Sequence, residues 1–139
     1  MTPNRKTGGR GPSNGGSAPH ANGAPVAVVL DEDALVATAG GSRELAIELA
    51  EIFLSELDSR IDEFVAALAA GSATRLQFAA HTLRGSAGSL SAYQVTASAA
   101  TLEDLARRGD ISNARPIFQR LRGELELLAG RLGALDTNA

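Results

Sequence analysis

SRELAIELAEIFLSELDSRIDEFVAALAA, residues 42–70, decides the fold class of this chain. Its apolar residues Leu45, Leu49, Ile52, Phe53, Leu57, Ile61, Phe64, Val65 and Leu68 recur at helical spacing and predict one long amphipathic helix, with this stripe facing a core. Ser42 is placed to cap that helix, and Glu44 falls in its first turn, where a carboxylate favours the helix dipole. Gly71 ends it. Toward the C-terminus the same reading repeats. Ser72 caps a helix carrying Leu76, Ala79, Ala80, Leu83, Ala87 and Leu90, and the chain turns near Ser91. A further segment with Val95, Ala99, Leu102, Leu105 and Ala106 stops at Arg107-Arg108-Gly109, the basic residues and glycine that helix C-termini favour. The last helix is expected to begin near Asn113, which puts Pro116 at its third position, and to run through Ile117, Leu121, Leu125, Leu128 and Leu132.

Toward the N-terminus, Asp31-Glu32-Asp33 supplies acids for a helix start, Ala34 to Ala39 completes a short helix, and Gly40-Gly41 closes it. No segment alternates long enough to read as a strand. The expected fold is all-α: an antiparallel up-and-down four-helix bundle with a short extra N-terminal helix across one end. Aromatics make up 4% of the chain and alanines are many, so the helices should pack closely on small side chains, with no evident cavity for a cofactor.

The 139 residues have room for one ordinary domain. With no cysteine, disulfides and thiolate metal sites are excluded, and the two histidines, His20 and His81, are too few for a histidine-rich zinc site. Residues 1–25 are rich in Gly, Ser, Asn and Pro and carry +3; they read as a disordered leader in which His20 is incidental. The rest of the chain carries −6, and an acidic body argues against nucleic acid as partner. The longest apolar run, Pro25 to Leu30, falls far short of the roughly 20 residues that cross a bilayer. No secretory signal is recognisable either. A cytoplasmic protein without membrane association is expected.

The residues that point to function are His81-Thr82-Leu83-Arg84-Gly85-Ser86-Ala87-Gly88. At about 100° per residue, Leu76, Ala79, Ala80, Leu83, Ala87 and Leu90 share one arc, the core side, while His81, Gly85 and Gly88 fall on the opposite face. Arg84 lies on the flank of His81. Each mid-helix glycine costs about 1 kcal/mol relative to alanine. Two of them beside an outward histidine read as clearance for something to approach. A neutral imidazole has a free lone pair and can act as a nucleophile.

His81-x-x-Arg84-Gly85-Ser86 on the outer face of a bundle helix resembles the signature of the histidine phosphotransfer (Hpt) domain of phosphorelays. The resemblance covers about residues 31–132, with the domain expected over 30–135. It implies that His81 is the phosphoacceptor, that Arg84 balances phosphoryl charge, and that Glu103, 22 residues on, hydrogen-bonds the imidazole from the edge of the next helix. Gly85, Gly88 and Gln77 are expected to serve partner docking, together with apolar residues of the adjoining helix. Arg84 stands where most members have lysine, and Ser91 where the family usually has a glycine. The implied partners are response-regulator receiver domains and a hybrid sensor histidine kinase, with Mg²⁺ supplied by the receiver and no cofactor or metal held by the chain. The protein is expected to be a monomer that takes a phosphoryl group from one receiver aspartate and passes it to another.

Other readings compete less well. Asp31, Glu32 and Asp33 point in different directions on a helix and serve its N-terminus better than a metal; Asp58, Asp62 and Glu63 read as a solvated face. Ser86 and Ser89 lack a second histidine to activate them. The chain is too short for an ATP-binding module, so autophosphorylation is not expected. The alternative from another class is an adaptor bundle that binds a receiver or kinase without accepting phosphate.

Overall fold

The computed structural model describes residues 27–136; the leader expected over residues 1–25, with His20, lies outside them. Among the described residues there are five helices and no strand: α1 (Glu32–Thr38), α2 (Arg43–Ala70), α3 (Ala73–Ser89), α4 (Tyr93–Arg107) and α5 (Ile111–Gly133). Helix α2 packs on α3 and α5, and α4 packs on the same two, so the four long helices form an up-and-down ring with α1 on the α2 side. Two side chains fasten α2 to α5 at opposite ends. Arg43 donates to the Leu135 carbonyl at 3.1 Å, and Arg115 to the Leu68 carbonyl at 2.9 Å.

The helix starts follow their caps. Asp31, Ser42, Ser72 and Asp110 each accept a backbone N–H three residues on, satisfying a donor that the first turn leaves free. Asp110 starts α5 at Ile111, two residues before the expected Asn113, because its carboxylate takes both the backbone and the side-chain amide of Asn113. Those two bonds hold the Asp110 carboxyl below its usual range. Pro116 is therefore the sixth helical residue, not the third, and the carbonyl of exposed Ser112 faces a ring without an N–H. Helix α4 has no side-chain cap. Its start is held by the segment before α1: Gln94 N–H donates to Val28 O at 2.8 Å, and Asp31 N–H to Ser91 O at 3.1 Å.

The core differs from the sequence reading in α2. Leu45, Ile52 and Val65 are exposed, and the buried positions are Ala46, Ala50, Phe53, Phe64, Ala67 and Leu68. Because α2 carries apolar residues around most of its circumference, its neighbours α3 and α5 decide which arc is covered. They select the one lined by alanines, where helix axes can approach closely. The core arcs expected for α3 and α4 are buried in full. Phe64 and Phe118 stack across the α2–α5 seam, ring centroids 5.2 Å apart. Such a pair contributes about 0.5–1.5 kcal/mol beyond its burial.

Ser91, where the resemblance leads one to expect glycine, takes φ +61°, the left-handed conformation that glycine adopts freely. The turn is closed by backbone bonds alone: Ser91 N–H bonds to Gly88 O and Ala92 N–H to Ala87 O, a Schellman closure of α3. Left-handed geometry costs a residue with a Cβ about 1–2 kcal/mol. Ser91→Gly should therefore raise unfolding stability by up to about 1 kcal/mol in denaturant titration, the gain being trimmed by the freer unfolded chain. A loss of stability would show that the buried serine side chain contributes more than its backbone costs.

Candidate functional site

Helix α3 presents His81 outward, as its wheel position requires: the imidazole is 63% exposed, while Ala80 and Leu83 beside it are fully buried. Opposite it on α4 stands Glu103, whose side chain is only 9% exposed. The sequence put Glu103 at the edge of the bundle. It lies deeper, because three cationic or ionisable side chains cover it. His81 Nδ1 is 2.8 Å from Glu103 Oε2, Arg84 Nε is 2.7 Å from Oε1, and Arg107 reaches within 3.9 Å of Oε2. A buried carboxylate needs such partners, since desolvating an unpaired charge costs several kcal/mol. The Arg84 Nε–H does not point along its 2.7 Å contact, so that attraction is an ion pair rather than a formed hydrogen bond.

These contacts decide the tautomer. Arg84 also brings a terminal nitrogen to 3.3 Å from His81 Nδ1, and a guanidinium can only donate. Glu103 can only accept, and its approach at 2.8 Å is the shorter and charge-assisted one. Nδ1 therefore carries the proton and donates to Glu103. Nε2 is left with its lone pair, at the exposed end of the ring.

Around the imidazole the surface is low. A Cβ built on Gly85 meets nothing within 4 Å, and one on Gly88 only Thr96 Cγ2 at 4.0 Å, so neither glycine is demanded by packing inside the chain. A groove open to solvent is lined by Thr74, Gln77, Phe78, His81 and Glu103, which brings Gln77 to the histidine. A second groove, between α2 and α3, is lined by Leu49, Ile52, Phe53, Ser86, Ser89 and Leu90, among others. Two residues escaped the sequence reading. Phe78, 70% exposed and one turn before His81, was legible as an apolar residue opposite the core arc. Arg107 was read only as a helix terminator, although its spacing of four from Glu103 is the signal that would have found it.

A family model described as Hpt domain matches residues 48–131. Two solved structures share the fold. Histidine-containing phosphotransfer protein B from Pseudomonas aeruginosa PAO1 superposes with a TM-score of 0.75 at 23% identity, over 81% of this chain and 98% of its own. The Hpt domain of a sensor hybrid histidine kinase from Shewanella gives 0.72 at 17%, over 80% and 96% respectively. No curated protein matches the chain. Among the described residues, no helix is long and apolar enough to cross a membrane.

The tautomer is directly observable. Nitrogen-resolved NMR of the neutral imidazole should find Nδ1 protonated and Nε2 bare, and Glu103→Ala should mix the two tautomers. A bare Nδ1 in the unmodified protein would contradict the assignment.

Proposed function

The chain belongs to the Hpt domain family and has a histidine phosphotransfer role in phosphorelay signalling, and on that premise we propose that His81 is its phosphoacceptor. The observation that carries this reading is the 2.8 Å bond from Nδ1 to Glu103, which frees Nε2 on the exposed side of the ring. The Nε2 lone pair attacks the phosphorus of a receiver aspartyl phosphate, the P–O bond to that aspartate breaks, and the aspartate leaves as carboxylate. The Nδ1 proton stays in place, and Glu103 stabilises the imidazolium that forms. Arg84 has a terminal nitrogen beside the ring and can turn to the incoming phosphoryl oxygens. Transfer to a second receiver runs the same steps in reverse.

Hpt domains are phosphocarriers rather than kinases and work with receiver domains and hybrid kinases. We assign the Mg²⁺ of the reaction to the receiver. Glu103 is the one carboxylate lining the groove with His81, and it is already engaged by His81 and Arg84. Docking on this reading uses Gly85, Gly88 and Gln77 around the histidine, with Ile52 and Leu49 of α2 at the neighbouring groove. The domain acts as a monomer in the cytoplasm, where receivers are found.

Incubation with a ³²P-labelled receiver should transfer acid-labile, alkali-stable label to the protein and none to His81→Ala. Label retained by His81→Ala would overturn the assignment, and no label from any receiver tested would favour the adaptor bundle. Gly85→Ala separates folding from docking. It should raise stability by about 0.5–1 kcal/mol while slowing receiver transfer about tenfold or more, since an added methyl stands where the partner must approach. Faster or equal transfer would show that Gly85 gives no clearance.

A further inference from the structure

We propose that Arg107 is a positioning residue that sets the lifetime of the phosphohistidine, acting through Glu103 rather than on the phosphoryl group; the proposal rests on His81 being the phosphoacceptor. In the unphosphorylated site the two oxygens of Glu103 have different cations. Oε1 belongs to Arg84 at 2.7 Å, and Oε2, which takes the His81 proton at 2.8 Å, is the oxygen that Arg107 approaches at 3.9 Å. Arg107 is placed there by Asp104, which binds its other terminal nitrogen at 3.0 Å. Asp104 does not cancel the charge of Arg107, because it also pairs with Arg108 at 2.9 Å. The charged groups joined to Glu103 directly or through Arg107 are thus Arg84 from α3, Asp104 and Arg107 from α4, and Arg108 at the α4 C-cap.

Phosphorylation changes this balance. Dianionic phosphoryl oxygens on Nε2 attract Arg84, which already holds a terminal nitrogen 3.3 Å from the imidazole, and Glu103 then loses the cation on Oε1. Arg107 is the counter-charge that stays. It matters because the P–N bond breaks most easily when Nδ1 is protonated, the ring then leaving as a neutral imidazole. In hydrolysis, water oxygen bonds to phosphorus, the P–N electron pair returns to Nε2, Nδ1 keeps its proton, and the water protons go to the released phosphate. A Glu103 with no nearby cation holds the Nδ1 proton more strongly and favours this cleavable form. With Arg107 beside Oε2 the pull is weaker, and the phosphoryl group stays long enough to meet a second receiver.

The test uses the full chain labelled by a phosphorylated receiver, with the receiver then removed and the loss of label followed. Arg107→Ala should shorten the half-life about two- to fivefold, the scale of a partly exposed charge pair, and Arg107→Lys should restore most of it. The ¹⁵N signal of Nδ1 in the labelled Arg107→Ala protein should move toward the protonated position. In a Glu103→Gln background the Arg107→Ala change should do nothing further. An unchanged half-life, or the same shortening in that background, overturns the proposal. Absence of label on the unmodified protein would instead overturn the phosphoacceptor reading, so the two failures are distinct.

Discussion

The hydrogen bond between Glu103 Oε2 and His81 Nδ1 joins what the fold builds to what the site does. A carboxylate buried to this degree is tolerable only while its oxygens are occupied. Its partners come from two helices, His81 and Arg84 from α3 and Arg107 from its own α4. The register of α3 against α4 is therefore tied to a charge that has nowhere else to go. The same bond supplies the orientation that a histidine nucleophile needs, with one ring nitrogen held and the other offered to solvent.

Close approach of the two helices makes that bond reachable. The buried faces of both helices are rich in small side chains, Ala79, Ala80 and Ala87 on α3 and Ala99 and Ala106 on α4, alongside Leu83 and Leu102. Larger residues there would separate the axes. The outward face of α3 follows a different rule: Gly85 and Gly88 are free of contacts that a methyl group would disturb, so their cost in helix stability is not recovered within the chain. One helix thus carries alanines inward for packing and glycines outward for access.

Much of this was legible in the residues. On α3 the apolar arc is narrow and uninterrupted, so its wheel placed His81, Gly85 and Gly88 outward without help from other helices. On α2 the apolar residues spread too far around the helix, and only the presence of α3 and α5 shows that Ala46, Ala50 and Ala67 face inward while Leu45, Ile52 and Val65 do not. Pro116 is a poor marker for the start of α5, because the Asp110 side chain sets the boundary two residues before the expected Asn113. Ser91 could not be resolved from sequence, since a serine does not announce a positive φ; the structure shows it bearing the geometry of a glycine turn. The depth of Glu103 also depends on long side chains folding over it, which a helix wheel cannot represent.

With Nδ1 held by Glu103, Nε2 is the reacting nitrogen of His81. Phosphorus–nitrogen correlation NMR of the phosphorylated protein reads this directly, because the two ring nitrogens give distinct couplings to phosphorus. Phosphorus is expected on Nε2, with Nδ1 facing Glu103. Phosphorus on Nδ1 would contradict it, since that nitrogen could not then hold the proton shared with Glu103.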